Sequence, residues 1–427
     1  MSADRSSANA ASEITRRQFI NRAGAIAAVV SIAGANSVRG ANEKLGVGFI
    51  GCGGRAQAHL QAVHYLKGKG ANVEIVAACD AYRPRLDKTA SGYGAKPYTD
   101  HRELLADPNV DVVCIATPDH IHGYQAIDAL NAGKNVYCEK PVTHWTQFEL
   151  TKKLAAVVKE TGRVFQLGTQ GMYDSAWHQM RKLVDEGLIG QPIHAECGYF
   201  RVGDWGERGM PIDDPNAQPG PDLDWKAFLA SAPERPFDVS RFFRWRMYKD
   251  YAGGPSTDLF PHSFTPVAHI LNLGIPSKAV AAGGKFRYQE REIPDTFNAL
   301  IDYPQGITIA ILGTQGNDYP GTGSRGSGQR IPIIRGFDGT LTIQGNEIVF
   351  TPTQGSPKKA QRFAIEHGED FTGYWSRFLE CCRNNDPNTL STMDLAYRVQ
   401  TALQMAMMGL VEEKVARFDA GQQKIIL

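Results

Sequence analysis

A chain of 427 residues is longer than one hydrophobic core fills, so two domains are expected. The formal net charge is +1 and no long basic stretch occurs, which excludes a general nucleic-acid surface. Hydrophobic and charged fractions of 42% and 21% are those of an ordinary soluble protein.

Residues 1–41 differ in kind from the rest. Arg16 and Arg17 precede Phe19 and Ile20, and a small, apolar run follows from Ala23 to Ala35. The pattern is that of a twin-arginine export signal, so a periplasmic or otherwise exported location is expected, with membrane contact for export only. The run is short of the roughly 20 residues of a transmembrane helix, and a retained anchor is the competing reading. Cleavage after Ala33-Gly34-Ala35 or near Ala41 would fit. None of the seven cysteines has zinc-ligand spacing. Cys52, Cys79, Cys114 and Cys138 end apolar strands, where cysteine acts as a small hydrophobe, so no metal site is expected.

Val47–Ile50 reads as a short strand and runs straight into Gly51-Cys52-Gly53-Gly54-Arg55-Ala56, a G-x-G-x-x-A turn that opens a helix. Gly51 permits the tight turn, Gly53 lets backbone approach a pyrophosphate, and Ala56 keeps helix and strand close. The phosphates would face unpaired N–H groups at the helix N-terminus. A second strand, Glu74–Cys79, ends in Asp80. An acid there accepts the hydroxyls of an adenosine ribose and repels a 2′-phosphate, which favours NAD over NADP, although Arg83 and Arg85 follow. A plain helix cap is the bland reading of Asp80.

The alternation continues. Asp111–Ala116 is a strand ending at Thr117-Pro118-Asp119-His120, and His122 opens a helix that Gly133 closes. Asn135–Cys138 is the next strand and delivers Glu139 and Lys140 ahead of Pro141. Strands separated by helices imply a doubly wound parallel sheet, with Gly51, Asp80, Thr117 and Lys140 on one rim. Taken alone, Lys140-Pro141 is equally well a surface turn.

Together, Gly51-x-Gly53, Thr117-Pro118-x-x-x-His122 and Glu139-Lys140-Pro141 resemble the marks of the Gfo/Idh/MocA oxidoreductases, a family of sugar and cyclitol dehydrogenases and their relatives. The resemblance runs from Leu45 nearly to the C-terminus. It implies a Rossmann domain over 45–165 and, over 166–427, an α+β domain with a large, mainly antiparallel sheet and C-terminal helices that pack back. It further implies a cis peptide before Pro141 and a homo-oligomer, dimer or tetramer. Gly51, Gly53, Gly54, Arg55, Asp80, Thr117, Pro118, His120, His122, Glu139 and Lys140 are then the candidate cofactor-binding residues.

In the second domain, Val164–Gly168 reads as a strand, Ala176–Glu186 as a helix, and Ile193–Tyr199, Asn298–Tyr303, Ile307–Leu312 and Thr340–Gln344 as strands with few helices between them. A proline-rich excursion, 202–236, holds Trp205 and Trp225, and Trp245 and Arg246 follow it. Aromatic faces with charged neighbours suit a sugar, although tryptophans that pack the loop are an equal reading. The glycine- and serine-rich stretch Gly316–Gln329 is a loop over the site or an oligomer contact. Residues from Phe371 to about Val415 are helical.

Asp258 and His262 are spaced to share a helix face. The resemblance makes them the catalytic Asp and His beside the nicotinamide, with Phe260 where the family usually has glycine. His262 would be the general base supported by Asp258. Lys140 would bond the reacting hydroxyl and share the proton, and Lys140, Trp245, Arg246 and His262 would hold substrate. The expected activity is NAD(P)-dependent oxidoreduction of a secondary alcohol of a sugar, glycoside or cyclitol, with cofactor kept tightly bound because free NAD is scarce outside the cytoplasm. The alternatives are an NAD-dependent glycosidase or lyase that oxidises a ring carbon transiently, and a non-catalytic sugar-binding or regulatory protein.

Overall fold

The computed structural model describes residues 44–203 and 210–427; the twin-arginine segment and Trp205 lie outside the described residues. The first sheet is six parallel strands: β1 (Leu45–Ile50), β2 (Val73–Cys79), β3 (Lys96–Tyr98), β4 (Val112–Ile115), β5 (Asn135–Cys138) and β6 (Phe165–Leu167), in the order β3-β2-β1-β4-β5-β6. Every residue of β1, β4 and β5 is buried, as expected where helices cover both faces and the strand sequence is continuously apolar. The winding reverses at β1, which pairs β2 on one side and β4 on the other, and this opens a crevice at the carboxyl ends of those strands.

Two features correct the sequence reading. The segment expected to open the second domain is β6, whose Phe165 pairs Val136 of β5, so it closes the edge of the first sheet. The short strand β3 and the helix Arg83–Tyr93 were not foreseen. Only Leu86 and Thr89 of that helix are buried, so its polar surface gives little apolar periodicity to read.

The second sheet has twelve strands. Its main path is β16-β15-β14-β13-β7-β10-β9-β8-β17-β18, where β7 is Pro192–Phe200, β8 Lys278–Gly284, β9 Thr296–Tyr303, β10 Ile307–Thr314, β13 Ile333–Gly336, β14 Gly339–Gln344, β15 Glu347–Pro352, β16 Gln361–Ala364, β17 Ala416–Asp419 and β18 Lys424–Ile426. A small hairpin, β11 (Ser324–Arg325) and β12 (Gln329–Arg330), leans on β7. All pairings are antiparallel except β7 with β10. At that parallel seam a Cβ on Gly198 would lie 1.9 Å from the Leu312 carbonyl oxygen, so only glycine lets the two backbones meet.

The helix Phe371–Asn384 fastens the C-terminal part to the first domain. Trp375 stacks on Tyr137 of β5 with ring centroids 4.6 Å apart, and the Tyr374 hydroxyl donates to the Leu167 carbonyl at 2.6 Å. The excursion between β7 and β8 reaches the first domain as well. Arg83 N–H donates to the Asp222 carbonyl at 2.8 Å and Asp224 N–H to the Ala81 carbonyl at 2.9 Å. Tyr82 packs with Leu223, Phe228, Phe242 and Phe243 in a separate apolar cluster. Trp225 stacks on Phe228 and donates to the Arg235 carbonyl, so it holds this loop together.

The seam gives a paired stability test. Gly198→Ala is expected to cost about 3 kcal/mol or more by overpacking, whereas Gly92→Ala, on an open helix position, should add up to about 1 kcal/mol. Thermal unfolding of the two variants should move in opposite directions.

Candidate active site

At the end of β1 the backbone of Gly51 has φ +91°, and a Cβ there would sit 2.7 Å from the Ala116 carbonyl oxygen. Gly53 then starts the helix Gly54–Gly68 without any side-chain cap, and nothing lies within 4 Å of a Cβ on Gly54. The first N–H groups of the helix are therefore left for an anion, over a surface only glycine makes flat enough to approach. This turn floors a cavity of about 1280 Å³ that extends from Asp80 and Arg85 at one end to Lys140, Asp258 and His262 at the other. The glycine cradle, uncapped helix and acid at the end of β2 fit a dinucleotide.

Asp80 is half-buried. Its carboxylate accepts from the Cys52 N–H at 2.6 Å and the Tyr82 N–H at 2.8 Å, which sets it against the glycine turn. Burial raises its pKa and those two N–H groups oppose the rise.

Glu139 begins the other end. Its Oε1 accepts from Arg55 Nε at 2.7 Å and lies 2.8 Å from His59 Nε2, while Trp375 Nε1 donates to His59 Nδ1 at 2.9 Å. Because the tryptophan can only donate, Nδ1 is the acceptor and the proton of a neutral imidazole sits on Nε2, facing Glu139. Burial drives His59 down to about 4, with Arg55 assisting, so it is neutral at physiological pH. Burial alone would raise Glu139, but Arg55 and His59 outweigh it and hold the carboxyl far below its usual range.

Lys140 follows, in a cis peptide with Pro141 as the family resemblance implied. Its Nζ lies 2.6 Å from Asp258 Oδ1 and donates to the Asp258 carbonyl at 2.7 Å. Arg246 Nε and an Arg201 nitrogen each come within 3.5 Å of the same carboxylate. Burial pushes Asp258 up, yet Lys140, Arg246 and Arg201 together keep it ionised well below the normal carboxylate range. The guanidinium of Arg246 rests on the Trp245 ring at 4.2 Å.

His262 stands close to Asp258, which acts to raise its pKa, but makes no hydrogen bond to it. Asp258 ends a short helix, Pro255–Asp258, and Leu259 breaks the path before the helix Phe260–Ile270 starts. The Asp258 carboxylate turns to the cations, and among the described residues the His262 imidazole has no hydrogen-bond partner. It is exposed to the cavity. Burial, then Lys140, lowers its pKa to about 3, so it carries a free lone pair at neutral pH. Phe260, in the place of the family glycine, is fully buried against Phe297 and lies over Gly313, where a Cβ would be 2.5 Å from its ring. The absent side chain at 313 makes the room for the ring.

Of the candidate residues, Gly51, Gly53, Gly54, Arg55, Asp80, Thr117, Pro118, Lys140, Trp245, Arg246, Asp258 and His262 line the cavity. His120, His122 and Glu139 are buried and lie outside that lining. His122 is a buried staple between the Thr117 and Pro141 carbonyls, each 2.7 Å away. His120 reaches the Phe228 carbonyl at 2.8 Å and packs on Tyr251, away from the cavity. Glu139 acts behind the wall through Arg55. Sequence reasoning missed Gln170, Tyr199, Arg201 and Asp213, which also line it. Arg201 alone gave a signal, as a charge just past β7. The loop Gly316–Gln329 brings Ser327 to the cavity and is tied down by an Arg325–Asp174 ion pair at 2.6 Å.

Matches to known proteins agree with this layout. Residues 45–169 match the model "Oxidoreductase family, NAD-binding Rossmann fold" and residues 173–327 the model "Oxidoreductase family, C-terminal alpha/beta domain". Inositol 2-dehydrogenase of Salmonella typhimurium is 34% identical over 160 residues, 37% of this chain and 46% of that protein. The scyllo-inositol 2-dehydrogenase (NAD(+)) of Bacillus subtilis is 34% identical over 129 residues, 30% of this chain and 37% of that protein. The chain thus spans less than half the length of these curated relatives. The WlbA dehydrogenase from Bordetella pertussis, solved with NADH and UDP-GlcNAcA, shares the fold with a TM-score of 0.64 at 19% identity, covering 88% of this chain and 99% of that one.

Asp119 supplies a pH test. It is buried, accepts from the Thr257 hydroxyl at 3.2 Å, and burial pushes it up to about 7 despite Arg246 and Lys140. Between its ordinary value of 3.8 and about 7 the folded protein keeps a proton that the unfolded chain has lost, so this group's contribution to stability falls as pH rises through that window. Asp119→Asn should raise the melting temperature at pH 8 and give a smaller gain, or none, at pH 5.

Proposed function

The chain belongs to the Gfo/Idh/MocA oxidoreductase family, and on that premise we propose that it oxidises or reduces a secondary alcohol of a sugar, glycoside or cyclitol with NAD. The observation that carries this reading is the Lys140–Asp258 ion pair beside an uncharged His262, in the same cavity as the glycine turn. That relatives are inositol dehydrogenases supports the substrate class.

Gly51, Gly53 and Gly54 would take the pyrophosphate, Asp80 the adenosine ribose, and Thr117 and Pro118 the stretch toward the catalytic end. NAD⁺, when bound, supplies the hydride acceptor. The chain supplies proton handling. His262, neutral and unpartnered, accepts the hydroxyl proton at a ring nitrogen during oxidation and returns it in the reverse direction. Lys140 donates to the substrate oxygen and stabilises the negative charge that develops there; Asp258 fixes its ammonium in place. Arg246, backed by Trp245, borders the substrate space.

We further propose that the protein is exported and works with a retained cofactor. The paired Arg16 and Arg17 ahead of an apolar run support twin-arginine export to the periplasm. The excursion from the second domain, hydrogen-bonded beside Asp80 and lining the cavity with Met210, Asp213 and Phe228, supports slow release of the nucleotide.

Denaturing the purified protein should liberate NAD(H), detected by enzymatic cycling. Lys140→Ala and His262→Ala should each lower kcat at least about a hundredfold on a responsive polyol. Full activity in both variants would reject the site.

A further inference from the structure

Arg85 follows Asp80 by only a few residues, and a free arginine at that place is what accommodates a 2′-phosphate. Here the guanidinium is engaged. Its Nε lies 2.5 Å from Asp213 Oδ2, its face rests 5.2 Å from the Phe243 ring centroid and 5.9 Å from that of Tyr82, and one terminal nitrogen reaches within 3.5 Å of a Cβ built on Gly53. Asp213 and Phe243 both come from the second-domain excursion. Asp213 is positioned from nearby in the chain, since the Arg83–Asp222 and Asp224–Ala81 backbone bonds pin the same segment to the loop after β2. Asp80, Arg85 and Asp213 all line the cavity.

We propose that Asp213 is a cofactor-specificity residue: by holding Arg85 in an ion pair beside Asp80, it makes this end of the cavity accept an unphosphorylated adenosine ribose and refuse a 2′-phosphate. A diol can donate hydrogen bonds to carboxylate oxygen, and Asp80 offers it. A phosphate would have to displace one carboxylate from Arg85 while standing next to a second, and both repel it. The selectivity therefore comes partly from a residue far along the chain and in the other domain. This inference rests on the dinucleotide reading of the cavity.

The test compares wild type with Asp213→Asn, Asp80→Asn and the double variant Asp213→Asn/Arg85→Ala. Each purified protein is incubated with a concentration series of NADH or NADPH, freed of unbound nucleotide, denatured, and the released nucleotide quantified. Wild type should retain NADH in strong preference. Asp213→Asn, with an isosteric side chain at a partly exposed position, should shift the NADPH-to-NADH ratio by about tenfold toward NADPH, the equivalent of one charge-assisted contact regained. Adding Arg85→Ala should abolish that gain. An unchanged ratio in Asp213→Asn, alongside a changed one in Asp80→Asn, would overturn the role of Asp213, as would a gain that survives loss of Arg85. Retention of neither nucleotide by wild type would instead overturn the reading of the cavity itself.

Discussion

A buried carboxylate, that of Glu139, is the constraint around which the two domains are arranged. Removing such a charge from water costs several kcal/mol unless it is paired and hydrogen-bonded. Glu139 is paired by Arg55 and His59 on the helix after the glycine turn, and His59 is oriented in turn by Trp375 from the helix Phe371–Asn384. Even the space beside it is reserved: a Cβ on Gly168 would lie 2.6 Å from Glu139 Oε1. The nucleotide turn, the end of β5 and the returning helix thus share one electrostatic knot. Lys140 is the next residue along, so its backbone position is decided by that knot before its side chain meets Asp258.

The catalytic end repeats the logic with the same sign, a buried carboxylate held among cations. Lys140, Arg201 and Arg246 surround Asp258, and the cost of desolvating each is offset by the others. His262 is left out of this cluster. Burial, with the nearby Lys140 ammonium, keeps the imidazole neutral. A histidine bonded to Asp258 would instead be drawn toward its charged form.

How much of this was legible depended on whether backbone or tertiary packing set each residue's role. Gly51, Gly53, Asp80 and Lys140 were readable because alternating strands and helices put them at strand ends and because the turn demands glycine. His120 and His122 stand in the same motif and were assigned to the cofactor. In the folded chain both lie in the packing between elements, His122 between two carbonyl oxygens and His120 with Nε2 on one, and nothing in a linear pattern separates a buried staple from a ligand. Asp258 and His262 were found as residues, but the ion pair of Asp258 with Lys140 was not, since it depends on a strand more than a hundred positions away. Asp213 and Ser327 sit in segments rich in proline or glycine with no periodicity, so their place at the cavity could come only from the folded chain.

The pairing of Phe260 with Gly313 bears on how this chain can vary. The ring occupies volume that a side chain at 313 would otherwise claim, so the two positions are not independent. Restoring glycine at 260 alone leaves a void above β10, and enlarging 313 alone drives a side chain into the ring. A side chain at 313 would also lie 2.8 Å from the Tyr199 carbonyl oxygen of β7, so loss of the ring alone would not make room for it. The constraint therefore runs one way: glycine at 313 is demanded by both the ring and the neighbouring strand, whereas the ring at 260 depends on that glycine, so position 260 is the freer of the two to change.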